Sequence, residues 1–290
     1  MPPLQGGAAG LATAALLYCD EGGSRQQPWN EPDFSTRRTC SELAETILRC
    51  PVFAVEALGS RGRISMKPFL QLAQARTPEG AELTLHAHDT HFYLRVNRQP
   101  LMGTNASESE KVLAELACAR LSSQPGVRVL IGGLGFGFTL RRVLELVGSD
   151  ARVQVAELLP EVVAWNREFL STVNGLLMKD ARVEVSVEDV FQVITRAPAA
   201  HYDAILLDVD NGPIAMVQDG NARLYQAQGF QAITQALKPG GRVTFWSAST
   251  DHAFAKRLTK AGFKVETVAA KAYPQAKRCT HTIFVADRKG

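Results

Sequence analysis

The residues able to do chemistry stand at the ends of short apolar runs. Gly132-Gly133-Leu134-Gly135-Phe136-Gly137 follows the run 127–131, and Glu157 lies at the end of 153–158. Glu188 and Asp189 follow 183–187, Asp208-Val209-Asp210-Asn211-Gly212-Pro213 follows 202–207, and Ser247 and Ser249 follow 243–246. Glycines let the backbone turn tightly and let a ligand lie against it, because no Cβ stands in the way. A carboxylate about 20 residues beyond such a turn is placed to bind ribose hydroxyls. Taken singly, Asp189 reads as a helix N-cap and Glu157 as a solvated strand end. Asp208 is less ordinary, since the apolar run Ala204-Ile205-Leu206-Leu207 carries it to a sheet edge. Glycine or acidic features at four consecutive strand ends point to a nucleoside pocket floored by Gly133, Gly135 and Gly137, with Glu157, Glu188 and Asp189 along its wall.

The elements that would position these residues alternate. Strands are expected at 127–131, 153–158, 183–187, 202–207 and 243–246. Helices are expected at 138–146, 160–170, 190–195, 222–237 and 251–261, with Pro160 in a first helical turn. The helix 222–237 is expected to stop at Pro239-Gly240-Gly241. Strands alternating with helices predict a mostly parallel sheet covered on both faces, whose ligands lie outside the carboxyl ends of its strands. The segments 264–268 and 280–286 have no helix between them, which predicts an antiparallel C-terminal hairpin. Ahead of this sheet, Leu83, Leu85, Phe92, Leu94 and Val96 alternate around Asp89-Thr90 as a β-hairpin. Ser107 and Glu110 read as a capping box opening a helix through Val112, Leu113, Leu116, Ala117 and Leu121. The organisation expected is an irregular leader over 1–65, a small β-hairpin domain over 66–105 and a nucleoside-binding catalytic domain over 106–290. Translation from Met66 would leave the leader outside the fold.

Composition excludes several other classes. The net charge of +3 and the absence of a Lys/Arg-rich run leave no basic stripe for nucleic acid. No apolar run is long enough to span a bilayer, and the weakly apolar stretch 8–19 lacks the basic start of a signal peptide. The 5 cysteines are odd in number and form no C-x-x-C pair, which favours a reducing cytoplasm over a disulfide framework or a zinc site. His86, His88 and His91 cluster on the hairpin without a Cys or further His to complete a metal set, and read as a polar strand. Trp246 reads as core, with the pocket wall as its alternative, His281 as structural, and Tyr225 as a residue that could close over an acceptor. A dinucleotide site needs G-x-G-x-x-G, but from Gly133 the last position is Phe138; only G-x-G-x-G fits.

Val129-Leu130-Ile131-Gly132-Gly133, Glu157, Val187-Glu188-Asp189, the run from Tyr202 to Asp208, and Leu237-Lys238-Pro239-Gly240-Gly241 resemble the spermidine synthase (polyamine aminopropyltransferase) family over about residues 67–290. The resemblance implies a Rossmann-like class I methyltransferase fold with a small N-terminal β unit, a homodimer, and an S-adenosylmethionine-type donor with an amine-like small-molecule acceptor. It also implies that Glu157 binds ribose, that Asp189 accepts from the adenine amino group, and that Asp208 is the general base with Asp210 in support.

Three departures bear on the reaction. The family's loop aspartate, which pairs with the amine of decarboxylated S-adenosylmethionine and would repel the carboxylate of the intact donor, is replaced by Gly135. Where the family has Asp-Ser-Ser-Asp-Pro, this sequence has Asp208-Val209-Asp210-Asn211-Gly212-Pro213, so that the second carboxylate is displaced to Asp210 or replaced by Asn211. The family's polyamine-binding tyrosine and glutamine fall at Ser109 and Glu110, a pair read here as a helix cap. The expected function is therefore a spermidine synthase-like transferase, with methyl transfer from S-adenosylmethionine favoured over aminopropyl transfer to a polyamine. The lost loop aspartate also leaves open a non-catalytic nucleoside-binding protein, against which the retained Asp208 argues.

Overall fold

The computed structural model describes residues 68–77, 80–209 and 219–290, with side chains in the last stretch from 222 onward. The expectations for the leader, Met66 and Asp210 lie outside these residues.

The first sheet is antiparallel and four-stranded, in the order β1 (Leu70–Arg76), β2 (Glu82–His88), β3 (His91–Val96) and β4 (Gln99–Gly103). The expected hairpin is its centre, with Leu85 opposite Leu94 and Leu83 opposite Val96. β4 follows a two-residue turn in which Asn97 and Arg98 both take positive φ, 47° and 67°, the twist that a tight hairpin requires. The Asn97 side chain caps the turn by accepting from the Glu82 amide at 2.9 Å. β1 pairs with β2 through a bulge between Gln71 and Ala73 that breaks its alternation.

The second sheet has seven strands: β5 (Arg128–Gly132), β6 (Arg152–Glu157), β7 (Val183–Val187), β8 (Tyr202–Leu207), β9 (Leu237–Ser247), β10 (Lys264–Ala270) and β11 (His281–Asp287). They lie in the order β10-β11-β9-β8-β5-β6-β7. β5 to β9 are parallel, and β11 and β10 add antiparallel strands beyond β9, as the sequence predicts. The chain winds outward from β5 through β6 to β7, then returns to place β8 on the other side of β5. That reversal is the switch point at which the loops after β5 and β8 diverge and leave a crevice.

The helices are α1 (Glu108–Cys118), α2 (Phe138–Leu146), α3 (Pro160–Glu168), the single turn α4 (Ser171–Asn174), α5 (Val190–Arg196), α6 (Ala227–Ala236) and α7 (His252–Lys260). Alternate strand residues feed two cores. Val129, Ile131, Ala204 and Leu206 meet Leu113, Leu140, Val143 and Val162 from α1 to α3, together with the buried face of the first sheet. Leu130, Ile205, Leu207 and Phe245 meet Ile194, Phe230, Ile233, Phe254 and Leu258 from α5 to α7. Burial on both faces explains why β5 and β8 are continuous apolar runs. Each large side chain so buried contributes about 1.5–3 kcal/mol. Among the described residues, no helix is long and apolar enough to cross a membrane.

Two expected boundaries are corrected. The helix expected at 222–237 is a 3-10 segment, Asp219–Tyr225, followed by α6. The segment folds back onto α6 at Gly229, where a Cβ would stand 2.4 Å from the Arg223 carbonyl oxygen. Lys238-Pro239-Gly240-Gly241 does not separate helix from strand but lies within β9. Leu237 pairs with Tyr202 and Arg242 with Ala204, and the intervening residues bulge out while Lys238 Nζ donates to Asp203.

Candidate active site

The crevice holds a cavity of about 260 Å³, lined at its base by Gly133, Gly135, Glu157, Glu188, Asp189 and Asp208. The expected donor-site residues among those described, apart from Gly137, therefore meet in one place. Gly137 stands just behind, in the left-handed region at the N-terminus of α2. Gly133 is fixed by geometry as well as by conformation. Its φ is +91°, and a Cβ there would stand 2.2 Å from the Asp208 carbonyl oxygen. The two switch-point loops thus touch backbone to backbone, tied by the Asp208 amide donating to the Gly132 carbonyl at 2.9 Å.

Glu157 joins the glycine turn to the start of α3. Its Oε2 accepts from the Leu134 amide at 2.8 Å and its Oε1 from the Leu159 amide at 2.9 Å. Burial pushes its pKa up, and the backbone donors at Leu159, Leu134, Gly135 and Leu158 oppose that rise. Asp189 caps α5, accepting from the Phe191 amide at 2.8 Å through Oδ1, and takes the Arg223 guanidinium on Oδ2 at 2.8 Å. Arg223 also lies over the Phe191 ring, 4.7 Å from its centroid. Glu188, at the rim, is held by Arg196, whose hydrogen bonds keep its carboxyl below the usual range.

Behind the glycine turn are two buried asparagines that sequence reasoning missed. Asn166 Nδ2 donates to the carbonyls of Gly135 at 2.8 Å and Val162 at 2.9 Å. Asn174 Nδ2 donates to the Phe136 carbonyl at 3.1 Å and to Asn166 Oδ1 at 2.7 Å. They fix the turn's carbonyls on its far side. A visible signal was Asn166 itself, a polar residue on the apolar stripe of α3.

Met102 of β4 explains the space at Gly135. A Cβ on Gly135 would come within 3.0 Å of Met102 Cε and 3.3 Å of its Sδ. The thioether fills the volume into which a longer side chain at 135 would project. No sequence signal marked Met102, because β4 itself was not expected.

The other end of the cavity changes four expectations. Ser107 makes no side-chain cap, so the predicted capping box is absent. Glu110 lies one turn before Ala114 and two before Ala117 on the buried stripe of α1, and so lines the cavity instead. Its Oε2 accepts from Ser109 Oγ at 2.7 Å. Burial first, and then the Asp208 charge, push Glu110 up to about 7, against the Ser109 hydrogen bond. Burial likewise pushes Asp208 up to about 6, opposed by Thr139 Oγ1 donating to its Oδ2 at 2.7 Å. Thr139 was readable as the second residue of the helix after the glycine turn. Trp246 and His281, expected as core and structural, line the cavity with ring centroids 4.9 Å apart. The Trp246 Nε1 is buried with no protein acceptor, and burial holds His281 below its ordinary pKa. Tyr225 moves the other way. It is buried against Phe245 and Phe254 and donates to the Val209 carbonyl at 3.3 Å, so it does not close over an acceptor.

Five carboxyl groups line this cavity, and among the described residues no lysine or arginine does. Leu83, Leu94, Leu101, Leu158, Leu159 and Val162 supply apolar walls. An apolar cleft with acidic groups and an unpartnered indole N–H fits a cationic nucleoside.

Residues 112–282 match the model of the family described as the spermine/spermidine synthase domain. Putrescine N-methyltransferase 1 from Nicotiana tabacum is 33% identical over 116 residues, 40% of this chain and 29% of that protein. Polyamine aminopropyltransferase 2 from Streptomyces coelicolor is 32% identical over 129 residues, 44% of this chain and 22% of that protein. This chain thus matches less than a third of the length of either relative. A crystal structure of spermidine synthase in complex with the transition state analogue AdoDATO superposes with a TM-score of 0.63 at 16% identity, covering 80% of this chain and 83% of that one. A spermidine synthase from Thermotoga maritima superposes at 0.61. The fold is that of these structures, and the chain belongs to the spermine/spermidine synthase domain family.

Proposed function

We propose that the chain is a transferase that binds an S-adenosylmethionine-type donor on the glycine turn and moves its alkyl group to the nitrogen of a small amine. The observation that carries this reading is the cation-free cavity at the switch point, with five carboxyl groups around it. The sulfonium of such a donor supplies an activated alkyl group that needs no further catalyst. Gly133 and Gly135 would admit the nucleoside to the backbone, Glu157 would face the ribose and Asp189 the adenine. Both carboxylates already hold protein donors, and each oxygen keeps a lone pair for a further one. An ammonium has no lone pair, so the acceptor must lose a proton before it attacks. Asp208 at the end of β8, partly buried and with its pKa raised to about 6, suits that task.

Methyl transfer from the intact donor is favoured at Gly135, where Met102 stands in place of a carboxylate that would repel a methionine carboxylate. The second reading, aminopropyl transfer from decarboxylated S-adenosylmethionine, is favoured because no lysine or arginine among the described residues lines the cavity to meet that carboxylate. Incubation of the full chain with putrescine and each donor in turn, followed by the mass of the product, tests both. A methylated amine is expected. An aminopropylated one selects the second reading, and no product with either donor sinks the proposal.

A further inference from the structure

We propose that Glu110 is an acceptor-binding residue that works with Asp208 as one unit: the two carboxyl groups hold a single proton between them in the free protein and release it when the ammonium head of an aliphatic amine enters. This rests on the reading of the cavity as an amine-transferase site.

The placement of the two groups carries the inference. Glu110 projects from α1 and Asp208 from the end of β8 into one cavity, each held by a single hydroxyl, Ser109 and Thr139. Among the described residues neither is hydrogen-bonded to a cation. Lys111, next to Glu110, is engaged by Glu108 at 2.5 Å. From β9 and β11 the neighbours are Trp246 and His281, the latter's pKa lowered by burial. The other carboxyl groups of the cavity are already committed, Glu157 to backbone amides, Glu188 to Arg196 and Asp189 to Arg223. The Glu110–Asp208 pair is thus the place in the cavity where acidic groups face space without a counter-charge. Two partly buried carboxyl groups that face one cavity do not both ionise easily, and their titrations belong to the pair. The raised values at Glu110 and Asp208 agree with this.

The proton balance closes. The ammonium enters and one proton leaves to solvent, so the pair becomes two carboxylates around one cation. The ammonium then passes a proton to the pair and gains its lone pair. The nitrogen–carbon bond forms as the carbon–sulfur bond breaks, and the sulfur keeps the bonding electrons. The product departs as an ammonium, leaving the pair with its single proton.

Calorimetric titration of 1,4-diaminobutane into the full chain, at about pH 6.5 in two buffers of different ionisation enthalpy, counts the protons released. The native chain is expected to release close to one proton per amine. Glu110→Gln is expected to bind the amine about tenfold more weakly and to release well under half a proton. Glu110→Asp restores most of both, and donor titration of each variant serves as the control for folding. Native release indistinguishable from zero, unchanged release in Glu110→Gln, or no binding of the amine overturns the inference. Proton release without any alkylated product would instead leave the pair standing and sink the transferase reading.

Discussion

The two ends of the cavity are built on opposite principles. At the glycine-turn end Glu157 is held by two amides, Asp189 by an amide and a guanidinium, and the turn's carbonyls by Asn166 and Asn174, with Asn174 Oδ1 left without a donor among the described residues. At the other end burial raises both Glu110 and Asp208, the Asp208 charge raises Glu110 further, and among the described residues the Trp246 N–H has no acceptor. The first end is pre-organised and contributes to stability. The second stores unfavourable carboxyl electrostatics that a cationic ligand would relieve and an indole donor that a ligand acceptor would satisfy, the pattern expected where chemistry is done.

Substitutions should separate the two ends. The largest effect is expected from Asp208→Asn, which should lower turnover by about 10²–10⁴-fold while donor affinity stays within about twofold. A matching loss of donor affinity, seen by calorimetry, would erase the distinction between the ends. Next is Gly133→Ala. Its positive φ and the 2.2 Å approach to the Asp208 carbonyl oxygen should cost about 3 kcal/mol in urea unfolding, and donor binding should weaken with it. A change of a few tenths would show that the loops are not locked together. Asn166→Ala should cost about 2 kcal/mol, because it strips a buried carbonyl and the Asn174 amide of a partner.

The smallest effect has the opposite sign. Glu110 is raised above its ordinary value of 4.5 to about 7, so the native state binds more protons than the unfolded chain across that interval. Stability contributed by its protonated form is fully present below the unfolded value and is lost as pH rises toward the folded one. Glu110→Gln should therefore be more stable than the native chain above about pH 7, on the order of 1 kcal/mol, with the difference vanishing toward about pH 4. Urea unfolding at the two pH values measures it, and a destabilised variant at neutral pH would argue against a strained pair.

The satisfied end was largely legible in the sequence, because its devices are local. A glycine turn, an acidic strand end and a helix-capping aspartate each act within a few residues of themselves, and β5 to β8 announce themselves as apolar runs. The strained end was not. Glu110 reads as a helix cap from its spacing alone, and only the packing of α1 turns it inward. Trp246 and His281 meet because β11 inserts beside β9, across 35 positions of sequence. Met102 was hidden because Asn97-Arg98 turns the chain without a glycine to mark the hairpin. The bulge at Lys238 to Gly241 likewise looks like a break in sequence and is a detour within one strand.

The central claim, that the glycine turn and its carboxylates hold a cationic nucleoside donor, is tested most directly by calorimetric titration of the full chain with S-adenosylmethionine and with its decarboxylated form in parallel. Saturable binding at one site per chain is expected, tighter for the intact donor and unchanged in Glu110→Gln. Binding of neither compound would contradict the account.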